Sequence, residues 1–276
     1  MRHAAWLTVL SSLGAATLGA QGVLVAPHAV YIDHRVRSGA ILLYNPNAVP
    51  AEITISTLFA YPVTDSLGRM LLHIVDQPDS SQPSAAGWIQ AFPRRLTVAP
   101  LERQTVRLLA TPPPGLADGE YWARLMITAK GGQVPITGAA DTANIRVGLT
   151  LEVRTIIGVA YRKGPVRTGV ALSRLRARVV GDSLETWLRL ERQGDAAFVG
   201  TVRGVFVDSA GVERATFFSP LGVYYSLDPR FAVHVGTLAP GRYRLRVDVT
   251  TERADLAPEV VLPAPAVRDS VEVRVP

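Results

Sequence analysis

Trp88-Ile-Gln-Ala-Phe-Pro93-Arg-Arg-Leu96-Thr-Val98-Ala-Pro100-Leu-Glu-Arg-Gln-Thr105-Val-Arg-Leu-Leu109, continued by Pro112-Pro-Pro-Gly-Leu-Ala-Asp118-Gly-Glu-Tyr121-Trp-Ala-Arg-Leu-Met-Ile127, is the stretch that decides the fold. Three short strands can be read in it. The first carries Leu96 and Val98 and stops at Pro100. The second is Thr105–Leu109, with Val106 and Leu108 on one face and Thr105 and Arg107 on the other. The third is Tyr121–Ile127, in which Tyr121, Ala123, Leu125 and Ile127 share a face. Proline cannot donate to a central ladder and glycine supplies turn geometry, so the Ala-Pro and Asp-Gly segments between the strands read as turns. Strand and turn alternating at this spacing predict an antiparallel sandwich.

The pattern spreads in both directions. Upstream, Val23–Ala26 and Ala29–Ile32 predict an opening strand broken at Pro27. Ala40–Tyr44 follows and ends in Asn45-Pro46-Asn47. Glu52–Tyr61 places Ile53, Ile55, Thr57 and Phe59 on one face, and Asp65-Ser66-Leu67-Gly68 predicts a hairpin turn. Asp76–Ala86, rich in Asp, Ser and Pro, predicts a surface loop. Ala129–Ala143, rich in Gly, Ala and Thr, predicts a long mobile loop. The cleanest alternation comes next: Ile145, Val147, Leu149, Leu151 and Val153 face one way, and Arg146, Gly148, Thr150, Glu152 and Arg154 the other. The apolar run continues through Ile156–Tyr161 to Arg162-Lys163-Gly164-Pro165, which predicts a domain boundary.

Beyond that point the style repeats. Leu172–Val180 and Leu184–Leu190 flank a Gly-Asp-Ser turn, and Val199–Val207 runs into Asp208-Ser-Ala-Gly211. Tyr243, Leu245, Val247 and Val249 follow Leu238-Ala-Pro-Gly241, and Val271–Val275 closes the chain. No segment predicts a helix. The expectation is an all-β protein of two tandem immunoglobulin-like sandwiches, residues 21–163 and 164–276, preceded by a signal peptide over 1–20.

The leader is read from Arg2 and His3, an apolar stretch over Ala4–Leu18, and small residues before Gln21. That stretch carries Thr8, Ser11, Ser12 and Thr17, too short and polar for a good spanning helix. Its removal leaves roughly 255 residues, enough for two ordinary cores. A hydrophobic share of 48% argues against disorder. With no cysteine, disulfides, thiol nucleophiles and zinc–cysteine sites are excluded.

A net charge of +6 invites a nucleic-acid reading. The basic residues, nearly all Arg, instead alternate with apolar neighbours, as at Arg107, Arg124, Arg146, Arg189 and Arg246, and read as solvated sheet faces. The expectation is no nucleic-acid partner. His3, His28, His34, His73 and His234 show no metal-ligand spacing. The carboxylates look like scattered surface groups, and neither a nucleophile elbow nor a phosphate loop is present. The chain is expected not to be an enzyme and to carry no cofactor or metal.

The Ile145–Val153 strand is the functional candidate. It reads either as an interior strand of the first sandwich or as an edge that offers its apolar row to another chain. An edge of that kind supplies backbone bonds for affinity and alternate side chains for pockets.

The order of these motifs resembles the N-terminal domain of the periplasmic pilus-assembly chaperones, the PapD-like family. A Pro, an apolar strand, an Ala-Pro turn, Gln104-Thr-Val-Arg107 and Asp118-Gly-Glu-Tyr-Trp122 come in sequence. The resemblance covers about residues 23–160 and includes the Asn45 turn, Pro93, Pro100 and Arg107. It implies a chaperone that binds secreted fibre or pilus subunits by donor-strand complementation and passes them to an outer-membrane partner of the usher type. The donated row would be Ile145, Val147, Leu149 and Leu151. The family also holds the subunit's C-terminal carboxylate with an Arg on the first strand and a Lys near the end of the donor strand. Laid on this chain the Lys falls at Arg154, whereas the Arg position holds Ala29 or His28; Arg35 is the nearby group that could replace it. The competing reading is an envelope-associated structural or adhesion module of two sandwiches, binding a partner or peptidoglycan without chaperone activity.

Overall fold

The computed structural model describes residues 22–130, 134–135, 148–149 and 151–275. The leader, Ile145, Val147 and the greater part of the expected 129–143 loop lie outside these residues. In the first half the strands are β1 (Leu24–Ala26), β2 (Ala29–Asp33), β3 (Ser38–Tyr44), β4 (Ala51–Thr64), β5 (Met70–Val75), β6 (Ile89–Phe92), β7 (Arg95–Val98), β8 (Arg103–Ala110), β9 (Gly119–Lys130), β10 (Val134–Pro135), β11 (Gly148–Leu149) and β12 (Glu152–Lys163). The second half holds β13 (Thr168–Val180), β14 (Ser183–Gly194), β15 (Phe198–Asp208), β16 (Glu213–Val223), β17 (Ser226–Leu227), β18 (Arg230–His234), β19 (Gly241–Thr250) and β20 (Val267–Val275). The helical content of the described residues is one 3-10 turn, Pro258–Val260.

Two sandwiches in tandem result, as the alternation predicts. In the first, the sheet β1-β3-β8-β6 faces the sheet β2-β12-β9-β4-β5, with β7 also paired to β4. Their inner faces are the alternate residues read from the sequence: Ile41 and Leu43, Ile53 and Ile55, Val106 and Leu108, Ala123, Leu125 and Ile127. In the second, β13-β14-β17, with β18 beside β14, faces β16-β15-β19-β20. Its core is built on Leu184, Leu188, Leu190, Phe198, Val202, Phe206 and the Leu245, Val247, Val249 row. Asp65–Gly68 turns β4 into β5, and Asp208–Gly211 turns β15 into β16, as expected.

The first strand changes sheets at Pro27. β1 pairs antiparallel with β3 in one sheet, whereas β2 pairs parallel with β12 in the other. Proline cannot donate a ladder bond, so the crossover falls where one is missing anyway.

Two expectations need correction. The end of the 76–86 loop is not surface: Ala85 is fully buried, its N–H donates to the Trp122 carbonyl (2.8 Å), and Trp122 N–H donates to that of Pro83 (2.7 Å). Small Ala and Pro side chains let this backbone lie against the large indole. The expected 129–143 loop also begins too early. Ala129 and Lys130 belong to β9, where they pair with Ile53 and Glu52 on one side and with Val153 and Glu152 on the other. Beyond them Val134 and Pro135 pair with Leu149 and Gly148.

Candidate functional site: an open strand edge and an interdomain cleft

Odd-numbered residues of β12 point into the first sandwich, where Ile157, Val159 and Tyr161 are each under 5% exposed. The same row then emerges from the core. Thr155 and Val153 are half-buried, and Leu151, just before the strand, is exposed (38%). The ladder explains the change. β9 accompanies β12 from Glu152 to Lys163, but β2 joins it only over Gly158–Arg162, because the chain has crossed to the other sheet before Ala29. Among the described residues, Glu152–Ile157 therefore has one ladder neighbour and one free edge. Of the strand read from Ile145 to Val153, Gly148–Leu149 form the short β11 and Glu152 and Val153 open β12, with Leu151 in neither.

The two basic residues singled out from the sequence sit far apart. Arg154 is four residues ahead of Gly158 and holds Glu152 at 2.8 Å, with its side chain largely in solvent. Arg35 follows the opposite end of β2, in the turn to β3, where its N–H donates to Asp33 Oδ1 (2.7 Å). At about 3.3 Å per residue the two are separated by roughly 25 Å or more along the β2–β12 ladder. The structure does not bring them together.

What it does bring together is a set of groups that the sequence reading left on the surface. Glu120 is 3% exposed. Its Oε1 accepts from Trp122 Nε1 (2.8 Å) and from the Ala197 N–H of the second sandwich (3.0 Å), and its Oε2 accepts from Arg162 Nε (2.8 Å). Arg162 also donates from Nη1 to the Val260 carbonyl (2.8 Å) and lies over the Tyr31 ring (4.4 Å). A buried carboxylate with three donors is thus the pin between the two halves, around a small apolar cluster of Phe59, Trp122 and Ala197. The adjacency of Asp118-Gly-Glu to an aromatic pair was the available signal, but its partner Ala197 lies 77 residues away.

Beside the pin a cleft of about 170 Å³ opens between the sandwiches, lined by His28, Tyr31, Arg124, Gly158, Tyr224 and Arg253 among others. Arg124 does not face open solvent as its place in the alternation suggested. Its Nε donates to the Ala60 carbonyl (3.1 Å) and its guanidinium lies 4.9 Å from the Tyr224 ring centre. The space it needs exists because residue 158 is glycine: a Cβ there would lie 2.8 Å from Arg124 Nη1. Arg253 is held by Asp255 through two short bonds (2.7 and 2.6 Å). Burial raises the Tyr31 hydroxyl to about 12, and burial likewise raises Tyr224, opposed in part by Arg124. Both phenols therefore stay neutral donors at ordinary pH, beside two guanidiniums. Asp255 lines the cleft as well and offsets the charge of Arg253, so Arg124 is the cation there that a small carboxylate would meet. Among the described residues no group of His, Asp or Glu has the arrangement of a metal site.

No protein-family model matches the chain, and no curated protein does. Solved structures do align with it. A chain of the CsuC–CsuE chaperone–tip adhesion subunit pre-assembly complex, from the archaic chaperone-usher Csu pili of Acinetobacter baumannii, aligns over 91% of this chain and 98% of its own, at 13% identity and a TM-score of 0.48. The CupB2 chaperone of Pseudomonas aeruginosa aligns over 91% and 100%, at 11% identity and 0.43. A chain of the Salmonella enterica SafA pilin–SafB chaperone complex aligns over 91% and 96%, at 12% identity and 0.42.

Proposed function

We propose that this chain is a chaperone-like protein of the cell envelope that captures secreted fibre subunits by donor-strand complementation. The observation that carries the reading is the fate of one row of side chains. Buried at Ile157, Val159 and Tyr161, it runs out of the core along an edge that has lost its β2 neighbour, reaching exposed Leu151. A subunit lacking a strand can use such an edge as backbone partner and seat the row in its groove. By sequence parity Leu149, Val147 and Ile145 extend the row. For the subunit's C-terminal carboxylate the cleft around Arg124 is the better anchor, since Arg35 and Arg154 are too far apart to share one. The reading places the protein in the periplasm after loss of residues 1–20, with the domains meeting near residue 164. An outer-membrane usher would then receive the subunit.

Capture tests this directly. Co-expression with a fibre subunit from the same genome should yield a soluble one-to-one complex from a periplasmic extract, with the mature chain beginning at or near Gln21. Leu149→Ser with Leu151→Ser should abolish recovery of the subunit while the free protein melts as before. Each aliphatic seated in a groove is worth roughly 1.5–3 kcal/mol, less the cost of ordering the segment. Fractionation with the envelope and normal behaviour of the double variant would instead favour the structural-module reading.

A further inference from the structure

A groove of about 640 Å³ lies between the tip of the β4–β5 hairpin and the outer face of β13 and β14. Asp65, Ser66 and Gly68 line it from the first sandwich, and Arg174, Arg176 and Trp187 from the second. Its second-sandwich wall is shaped by an irregularity in β13. That strand follows β14 in regular register except at one bulge, between Ser173 and Arg176. Leu172, Leu175 and Ala177 pack on the second core, so the inward row steps there by three residues instead of two. The extra residue is Arg174, held at φ +54°. A left-handed bulge position is ordinarily glycine, which adopts it without strain. Here it carries a long cation that joins Arg176 at the groove, and strained positions of this kind cluster at ligand sites.

Trp187 stands opposite Arg176 in the ladder and is half-buried. The guanidiniums of Arg176, Arg178 and Arg230 lie 5.1, 5.1 and 5.9 Å from its ring centre. A guanidinium over an aromatic ring uses its flat face and keeps its N–H edge free to donate. Arg178 and Arg230 direct that edge at Glu185, while Arg189 holds Glu191 and Asp228. Asp65 is taken by Arg69 (2.7 Å). Among the described residues Arg174 and Arg176 make no ion pair and no side-chain hydrogen bond, although both line the groove. Six arginines therefore meet four carboxylates around it, a net charge of +2, and the two unmatched cations are those at the bulge.

We propose that this groove binds a doubly charged oxyanion group, a phosphate or sulfate ester, with Arg174 and Arg176 as its paired donors. Two guanidinium forks offer such a group parallel N–H pairs, and the net +2 matches its charge. Asp65 and Asp228 do not repel it strongly, because each already has its own arginine. The volume lies in the range of small-molecule sites, which leaves room beside Trp187 and Ser66 for the body that carries the ester. The site uses no residue of β12 and does not require the chaperone reading.

Trp187 makes the site directly testable. Titration of the protein with inorganic phosphate at pH 8, and separately with sulfate, should change its tryptophan fluorescence saturably. Sodium chloride at matched ionic strength should not, and Trp187→Phe should remove the signal. The tighter of the two anions identifies the ester. Arg176→Gln should weaken binding by at least about tenfold. Arg174→Gly is the sharper variant, because glycine relaxes the left-handed backbone while deleting the cation. Without anion it should melt at or above the wild-type temperature, yet its affinity for the anion should fall as far as that of Arg176→Gln. Phosphate and sulfate acting no differently from chloride, or Arg174→Gly binding as tightly as wild type, overturns the proposal.

Discussion

Glu120 is a carboxylate with three donors and almost no water. Replacing it with Ala would leave Arg162, whose side chain is 16% exposed, without its counter-charge, and the Ala197 N–H and Trp122 Nε1 without acceptors. Breaking one side of such a pair costs about 3–5 kcal/mol. Glu120→Ala should therefore lower the unfolding free energy by that order in urea titration, and Glu120→Gln by less. Tyr31 gives a second prediction. Burial holds its hydroxyl up at about 12 in the folded protein, above the ordinary value of 10, so the stability it contributes is fully present below pH 10. That contribution is lost as pH rises towards 12, and two pKa units correspond to about 2–3 kcal/mol. Tyr31→Phe should flatten the alkaline limb of the stability curve, read from melting temperatures between pH 9 and 12. Neither residue could be singled out from the sequence. Glu120 sits in a turn-like Asp-Gly-Glu run, where solvent is the ordinary expectation, and only the second sandwich closes over it.

At the scale of the element, β12 is one strand with two environments. Val159 and Leu151 belong to the same row, but Val159 is 2% exposed and Leu151 is 38% exposed. Val159→Ser leaves a cavity and buries a hydroxyl, and should cost about 2–4 kcal/mol of stability whatever the partner. Leu151→Ser should leave the melting temperature within about a degree, and its effect should appear in subunit capture alone. Period-2 patterning made this strand legible, as it did β8, β9, β14, β15 and β19, since alternate burial is written directly into residue type. It could not show where the row leaves the core. That depends on β2 beginning only at Ala29, a matter of pairing between segments more than a hundred residues apart. β16 and β18 were missed for a related reason: Glu213–Val223 mixes Arg, Thr, Phe, Ser and Pro without clean alternation, and β18 has five residues.

At the scale of the molecule, the two sandwiches meet at more than the Glu120 pin. The tip of the β4–β5 hairpin reaches the second half, where Gly68 accepts at its carbonyl from the Arg230 N–H (2.9 Å) and Thr64 Oγ1 accepts from the Asp228 N–H (2.9 Å). Gly68 has φ +75°, and a Cβ added there would lie 2.6 Å from Arg230 Cβ and 2.7 Å from its backbone nitrogen. Gly68→Val combines left-handed strain with that collision and should cost about 1–3 kcal/mol. Small-angle scattering should then show a broader distribution of interdomain distances, and proteolysis near residues 164–167 should quicken. The two-sandwich plan was legible from turn signals at Gly164 and Pro165. The angle between the halves was not, because the residues that set it come from six separate segments, around residues 64–68, 120, 162, 197, 228–230 and 260.

The parallel pairing of β2 with β12 also has a consequence in time. Ala29 waits for Gly158, so the first sandwich cannot close until nearly all of its chain has been made. Contacts so distant in sequence form late and slowly. During that interval the strands that β12 will cover, β2 and β9, stand open to any passing extended segment. The last strand to arrive is the one proposed to hold a client, and the nascent protein is for a while in the client's position.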